Sequence, residues 1–240
     1  MSTRDDDLGD STRDSTGDYT GHVEANGPAG VRELPALTIR KAEVGGFGNN
    51  AYLLTCRATG AQLLVDAADE AERLLELVGA TGSGRLDAVV TTHSHHDHVG
   101  ALAAVVSATG ARTIAGADDA DALPVPVDVR VEHGDTVAFG DVTLDVVHLR
   151  GHTPGSIALA YEDAGDPDGR THLFTGDSLF PGGIGNTKNP GQSFESLIED
   201  VTTRVFDVYD DETWFYPGHG DDSTLGAERP HLPQWRARGW

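Results

Sequence analysis

The chain has 240 residues, of which 39 are acidic and 17 basic, so its formal net charge is −22. This charge repels phosphate backbones, which argues against a nucleic-acid partner and favours a solvated surface adapted to strong salt. The single cysteine, Cys56, excludes an internal disulfide and a thiolate-rich zinc site and is typical of a cytoplasmic protein. No apolar run reaches membrane-spanning length, so we expect no membrane partner.

The first part of the chain has the composition of a disordered segment. Residues 1–34 lack periodic apolar residues and are rich in Ser, Thr, Gly and Asp. Such a stretch buries too little apolar surface to order itself. We therefore predict a disordered acidic tail over residues 1–34 and one folded domain over residues 35–240. Deletion of residues 1–30 is expected to leave activity and melting temperature nearly unchanged.

Strand and helix patterns alternate in the first half of the predicted domain. Short β-branched runs predict strands over residues 36–44, 50–56 and 61–67. Apolar residues on one helical face, followed by glycine, predict a helix over residues 69–82. A continuous apolar run predicts a buried strand over 86–92, and an alanine-rich segment predicts a helix over 98–110. A block of histidines therefore lies at a strand-to-helix junction.

The second half repeats this rhythm. The runs RTIAGA, VRVEHGDTVAFGDVTLDVVHLR, SIALAYE and THLFTGD predict strands separated by Gly and Asp turns. A helix is predicted from about Ser193 to Tyr209, followed by a short strand, TWFYP. Two strand-rich halves that each carry helices predict an α/β or α+β fold, with two mixed sheets packed face to face and helices outside.

The block HSHHDH (residues 93–98) has the side chains of a metal site. In an extended segment, residues two apart point to the same side, so His93 and His95 can share one metal. Asp97 and His98 lie past the bend and face elsewhere, which implies a second metal. Imidazoles and carboxylates are suitable zinc ligands. The alternatives are a solvated histidine tract and a pH-sensitive patch.

Three further candidate ligands follow strand-like runs. His152, Asp177 and His219 each have an ordinary alternative role when taken alone: a turn residue, a helix cap and a loop histidine, respectively. Together they predict a common site at one rim of the sheets, because burying such groups without a metal or partner is unfavourable. The glycine-rich loop 178–194 follows Asp177 directly, and it offers possible substrate contacts. These are Phe180, Asn186 and Lys188.

The motifs THSHHDH, GHTPGS, TGDSLF and PGHG, in this order, resemble the metallo-β-lactamase fold hydrolases, and most of all their glyoxalase II (hydroxyacylglutathione hydrolase) branch. The resemblance covers about residues 36–240 and implies a four-layer αββα sandwich with metals at one edge. It also implies a ligand set: His93, His95 and His152 for the first metal, Asp97, His98 and His219 for the second, and Asp177 bridging both. His96 occupies a variable position and is not carried over.

The resemblance also implies a mechanism. Two divalent metal ions, expected to be zinc with iron or manganese as alternatives, would hold a bridging hydroxide that attacks a small-molecule thioester. The metals would polarise the carbonyl, so no Ser or Cys nucleophile is required, and Cys56 is expected in a buried strand. Asp97 and Asp177 would balance the charge of the cations. The predicted activity is that of a dinuclear, metal-dependent thioester hydrolase.

Departures from the family pattern leave the substrate open. Glyoxalase II enzymes carry a separate helical domain that grips glutathione, whereas 21 residues follow His219 here, so another thiol carrier or an ester-like substrate fits as well. No cysteine stands near Asp177, which argues against antibiotic hydrolysis. An alternative on the same fold is a mononuclear iron persulfide dioxygenase that uses His93, His152 and Asp177. A non-catalytic or nucleic-acid-directed member is a third class.

The end of the chain is predicted to pack. The segment ERPHLPQWRARGW contains Trp235 and Trp240, which are unusual at a terminus unless they are buried. We expect order from about Glu228 onward, against the core or a neighbouring subunit. The sequence leaves the oligomeric state open.

Overall fold

A computed structural model describes residues 19–162, 165 and 169–239. The first of its two large sheets has seven strands, which lie side by side in chain order. They are β1 Gly30–Glu33, β2 Leu37–Val44, β3 Asn49–Cys56, β4 Gln62–Val65, β5 Leu86–Thr91, β6 Arg112–Gly116 and β7 Val129–Val131. Strands β1 to β4 pair antiparallel with their neighbours, and β4 to β7 pair parallel, so this sheet is mixed.

The second large sheet has six strands in the order β15-β14-β11-β10-β9-β8, and a two-stranded ribbon, β12 and β13, follows β11 in the chain. The strands are β8 Thr136–Phe139, β9 Val142–His148, β10 Ile157–Glu162, β11 Thr171–Gly176, β12 Leu179–Phe180, β13 Gly183–Ile184, β14 Trp214–Pro217 and β15 Ser223–Thr224. Within the second sheet, β11 and β14 are parallel and the other neighbours antiparallel, so it is also mixed.

The helices are shorter than the sequence pattern predicts. They are α1 Ala71–Gly79, α2 Leu102–Thr109, α3 Phe194–Val201, α4 Leu225–Glu228 and α5 Leu232–Arg238. The start of the segment predicted as helix over 98–110 belongs to a 3₁₀ turn, His96–His98, and a further turn. The helix predicted from Ser193 to Tyr209 begins with Ser193 as its N-cap, and it continues beyond α3 as a π-helix, Thr202–Phe206.

Three apolar layers hold these elements together. The central layer lies between the sheets and contains Leu54 from the first and Phe174 from the second. An outer layer packs Leu74 of α1 and Val105 of α2 on the first sheet. The other outer layer packs Trp235 of α5, together with α3, on the second sheet. The order helix, sheet, sheet, helix confirms the predicted αββα sandwich of two mixed sheets.

The predicted disordered tail is wrong for residues 19–34. Strand β1 pairs with β2 over four residues, from Gly30 opposite Lys41 to Glu33 opposite Thr38. The expectation failed because the segment lacks periodic apolar residues, and its order comes from pairing with β2 and from contacts with residues distant in sequence, such as that of Tyr19 with Asp222. Residues 1–18 lie outside the described residues. Deletion of residues 1–30 would therefore remove ordered structure.

The C-terminal prediction is confirmed for Trp235, which is 1% exposed and meets the ring of Phe206 at 6.1 Å between centroids. Trp240 lies outside the described residues. Cys56 is a buried, unpaired thiol in β3, as expected. Among the described residues, none of the helices is both long and apolar enough to span a bilayer.

Candidate metal centre

The predicted ligands all lie at one edge of the sandwich. His93 and His95 follow β5, His152 lies in the turn between β9 and β10, and Asp177 follows β11. His219 follows β14, which runs parallel to β11, so both strands end at the same edge. The 3₁₀ turn after His95 places Asp97 and His98 beside them.

His93, His95 and His152 form a cluster that we call the three-histidine group. One ligand atom from each lies within 4.8 Å of the others, and the ring centroids are 4.4–4.9 Å apart. The Nε2 atoms of His93 and His152 are buried without a hydrogen-bond partner among the described residues. Burial lowers the pKa of all three imidazoles, so they are neutral near pH 7. Converging neutral imidazoles with free nitrogens fit a divalent cation.

Asp97, His98 and His219 form a second cluster, which we call the mixed group, with one ligand atom from each within 4.8 Å of the others. His219 Nε2 lies 3.4 Å from Asp97 Oδ2 and 3.3 Å from His98 Nε2. The side chain of His98 is fully buried, whereas that of His219 is 26% exposed. This group combines carboxylate with imidazole, so its donor set also fits a divalent cation.

Asp177 lies between the two groups. Its Oδ2 is 3.5 Å from His152 Nε2 and 3.5 Å from His219 Nε2, and its Oδ1 is 3.3 Å from His98 Nε2. Burial favours the neutral acid, but the contacts with His219 and His98 outweigh it and hold the pKa of Asp177 well below its ordinary value. One ionised carboxylate therefore faces histidines of both groups, as the sequence motifs predict.

The carboxylates give the mixed group a different protonation state. Burial opposes a proton on His98, but contacts with Asp177 and Asp66 raise its pKa above the ordinary value. Asp177 likewise raises the pKa of His219 against the effect of burial. A cation entering the mixed group must displace these protons, whereas the three-histidine group is already in its ligand form.

A model of the metallo-beta-lactamase superfamily matches residues 44–219. The chain belongs to this superfamily. Members bind metal ions, and the His and Asp clusters give this chain such a site. A hydroxyacylglutathione hydrolase from Polaromonas sp. (strain JS666) is 36% identical over 179 residues, covering 72% of this chain and 62% of that protein. The chain therefore spans less than two thirds of the length of that relative.

Solved structures of the same fold agree. ETHE1 from Myxococcus xanthus superposes with a TM-score of 0.72 at 28% identity, covering 83% of this chain and 84% of that chain. TTHA1623, solved in a di-iron-bound form, superposes with a TM-score of 0.65 at 33% identity, covering 79% of this chain and 96% of that chain. The resemblance to the metallo-β-lactamase fold and to its hydroxyacylglutathione hydrolase members is thus confirmed.

Sequence reasoning missed Asp66, which follows β4 with a left-handed φ of 58°. Its Oδ2 accepts hydrogen bonds from His98 Nδ1 at 2.8 Å and Thr92 Oγ1 at 2.7 Å, and its Oδ1 accepts from Thr92 N at 2.7 Å. Because both oxygens are engaged, Asp66 orients His98 Nε2 toward the mixed group. The available signal was an aspartate directly after an apolar strand, the pattern that also marks Asp177.

Asp119, also missed, joins two loops of this superfamily site. Its carboxylate accepts from Ser94 N at 2.8 Å, from Thr153 Oγ1 at 2.7 Å and from Gly155 N at 2.7 Å. The loop after β5 is thereby tied to the turn that carries His152. The sequence around Asp119, GADDA, is typical of an ordinary turn, so nothing in it identified this role.

Backbone carbonyls fix the orientation of two histidines. His152 Nδ1 donates to the carbonyl of Asn186 at 2.8 Å, and His219 Nδ1 donates to the carbonyl of Phe47 at 3.1 Å. Because a carbonyl only accepts, Nδ1 carries the proton and Nε2 faces the site. The role of Phe47 was not predicted, since it acts through its backbone.

The predicted substrate contacts occupy different places. The ring of Phe180 is half-buried and lies 6.4 Å from the ring of His219, between centroids. Asn186 contacts His152 through its carbonyl, while Lys188 is exposed on the same loop. The ring of Phe47 is 72% exposed and meets that of His96, which lies at the outer rim, at 6.0 Å. Phe180 and Phe47 thus each lie beside a histidine at this edge, Phe180 beside His219 and Phe47 beside His96.

Proposed function

We propose that the protein hydrolyses a small-molecule thioester with two divalent cations, in the manner of a hydroxyacylglutathione hydrolase. The observation that carries this proposal is the carboxylate of Asp177, placed between two separate ligand groups. The Polaromonas hydroxyacylglutathione hydrolase and the di-iron-bound TTHA1623 support it. The net charge of −22 supports a small-molecule substrate in place of a nucleic acid.

The residues fit two cations with a shared carboxylate. The three-histidine group would hold one cation, the mixed group the other, and Asp177 would contact both. Bound there, two divalent cations would lower the pKa of a water and polarise a substrate carbonyl. Zinc suits imidazole and carboxylate donors, and iron or manganese are alternatives. Asp97 and Asp177 place two negative charges against the cations.

The rest of the site would position the substrate and the ligands. Asp66 and the carbonyls of Phe47 and Asn186 hold histidine Nε2 atoms toward the centre. The rings of Phe180 and Phe47 offer apolar surface to an acyl chain or to a thioester sulfur. Lys188, on the loop that follows Asp177, would contact an anionic part of the thiol carrier.

A second candidate is a mononuclear iron persulfide dioxygenase, in which His93, His152 and Asp177 would hold one iron. His152 Nε2 lies 3.5 Å from Asp177 Oδ2, and the similarity to ETHE1 from Myxococcus xanthus is compatible with this candidate. The complete mixed group favours the hydrolase, because a single iron would leave Asp97 and His219 without a role.

The two candidates are separated by one set of assays on protein purified without added metal. Elemental analysis measures metal per chain, thioesters of several small thiols report thiol release, and an oxygen electrode reports oxygen uptake with a persulfide. We expect two metals per chain, thiol release and no oxygen uptake. One iron per chain with oxygen uptake would establish the dioxygenase, and cleavage of oxygen esters alone would overturn thioester specificity.

A further inference from the structure

The loop that carries His219 is held in place by hydrogen bonds to its backbone carbonyls. After β14, the carbonyl of Pro217 accepts from Tyr52 Oη at 2.6 Å and from Asn50 Nδ2 at 3.0 Å. The carbonyl of Gly220 accepts from the same Asn50 Nδ2 at 2.9 Å. These bonds bracket His219 on both sides. Since the His219 side chain is itself partly exposed, its position depends on this backbone more than on packing.

A fully buried ion pair provides the next anchor. The side chains of Lys41, one of two lysines in the chain, and of Asp222 are both 0% exposed, and Lys41 Nζ lies 2.7 Å from Asp222 Oδ1. Lys41 Nζ also donates to the carbonyls of Gly21 and Gly220, each at 2.7 Å. All three ammonium donors are therefore used, and two of the three acceptors belong to the loop that follows His219.

Residues 19–22, which we call the N-terminal strap, complete this network. Tyr19 Oη donates to Asp222 Oδ2 at 2.6 Å, and Trp214 Nε1 donates to the same oxygen at 3.2 Å. Gly21 has a φ of 79°, and a Cβ there would lie 2.8 Å from Asp222 Cβ, so the strap lies directly on the loop. The segment predicted to be disordered thus reaches the residues beside a ligand.

A buried ion pair is weak evidence for stability, because desolvation of both charges offsets much of their attraction. Such a pair can instead fix one geometry among several. Here Lys41 donates to the carbonyl of Gly220, one residue from His219, so the pair fixes the backbone beside that histidine. No comparable anchor is needed by His98, whose side chain is fully buried and bonded to Asp66.

We propose that the N-terminal strap and the buried Lys41–Asp222 pair position His219, and thereby set the cation affinity of the mixed group. This inference rests on the proposed function, since it takes His219 as a ligand. Tyr19, Lys41 and Asp222 are positioning residues that act through the backbone of the loop.

The test uses the full chain stripped of metal and titrated with Co²⁺, whose visible absorption reports each bound ion. A His219→Ala variant identifies the absorption that belongs to the mixed group. Tyr19→Phe removes one hydrogen bond to Asp222, and the double variant Lys41→Met/Asp222→Leu replaces the pair with apolar side chains, which keeps the buried volume filled. Val78→Ala, a buried change in α1 within the outer layer on the first sheet, serves as the matched control for lost stability.

We expect the double variant to weaken the mixed-group Co²⁺ by about 10- to 100-fold. Tyr19→Phe should weaken it in the same direction by less, and neither should change binding to the three-histidine group. Val78→Ala should lower the melting temperature without changing either Co²⁺ affinity. If the wild type binds two Co²⁺ and the strap variants keep both affinities, the positioning role is overturned while the proposed function stands. If the wild type binds a single Co²⁺, the two-metal function fails and the inference fails with it.

Discussion

The two ligand groups at the edge of the sandwich differ in how they are built. The three-histidine group is formed by loops tied to each other by Asp119, and burial keeps its imidazoles neutral. The mixed group is more open, contains a carboxylate, and has histidines whose pKa values are raised by neighbouring carboxylates. Equal numbers of ligands therefore do not imply equal sites, and the mixed group depends more on contacts made by distant residues.

This difference predicts an order of cation binding. The three-histidine group requires no loss of protons, so it should fill first. The mixed group must exchange protons for a cation, and it depends on Asp66 and on the loop around His219 for its geometry. Asp177 belongs to both, so its replacement should have the largest effect.

Asp177→Ala removes the carboxylate that faces both groups. We expect one metal per chain in place of two, and a fall in thioester turnover of at least about 100-fold, because charge stabilisation at both groups is lost. Metal analysis and steady-state kinetics check this. His96→Ala, at the exposed rim, is the control and should stay within about twofold of the wild type. Near-normal turnover with two metals in Asp177→Ala would contradict the bridging assignment.

Asp66→Asn should affect metal binding at one group and not at the other. The amide presents His98 Nδ1 with a weaker partner, so the affinity of the mixed group for metal should fall by about 10- to 100-fold while that of the three-histidine group is retained. A Zn²⁺ titration followed by calorimetry measures both steps. Asp121→Asn, an exposed aspartate paired with Arg130, is the matched control. An equal loss at both groups would show that Asp66 supports the whole edge and not one group.

The pH dependence of the free energy of unfolding should report on a histidine that is buried but is not a metal ligand. His172 lies in the core outside both groups, and burial lowers its pKa to about 3, from an ordinary value of 6.5. Below pH 6.5 the unfolded chain binds a proton that the folded chain does not, so stability should fall as the pH drops from about 6.5 toward 3. Between pH 7 and pH 5 this amounts to roughly 2 kcal/mol.

Denaturant unfolding of metal-free protein at pH 7 and pH 5 measures this fall. The His172→Leu variant should lose the part of the pH dependence that comes from His172. This result does not depend on which metal the chain binds, because the protein is metal-free. If the variant and the wild type lose the same free energy between these pH values, the buried neutral state of His172 is wrong.

Lys188→Ala should have the smallest effect. The side chain is exposed on the loop after Asp177 and belongs to neither group. For an anionic substrate we expect a rise in KM of up to about fivefold with kcat and metal content unchanged, as for an exposed charge contact. The matched change Lys188→Arg should restore KM. A fall in kcat or loss of metal would place the loop within the ligand framework.

The sequence alone predicted the elements that follow local rules. The apolar runs identified β2 to β5 and the sandwich, and the block HSHHDH, with His152, Asp177 and His219, identified the set of side chains that the structure brings together. These predictions succeeded because strand ends and motif order carry the information. The mixed parallel and antiparallel order of the sheets could not be read from the runs, since it depends on pairing between distant segments.

The failures share one physical cause. Residues 19–34 have no periodic apolar pattern, yet Tyr19 is fixed by Asp222, 203 residues away. Asp66 and Asp119 act as hydrogen-bond acceptors for loops that are brought to them only by folding. Phe47 contributes a carbonyl, which every residue possesses. Roles defined by tertiary contacts of common groups leave at most a weak local signature, such as the position of Asp66 directly after an apolar strand.

The central claim is that two unlike ligand groups, joined by Asp177, each hold a metal ion. Anomalous diffraction from crystals of metal-loaded protein, collected on either side of the metal absorption edge, tests it most directly. Two peaks are predicted, one among His93, His95 and His152 and the other among Asp97, His98 and His219, with Asp177 between them. A single peak in fully loaded crystals, or a peak outside these groups, would contradict the account.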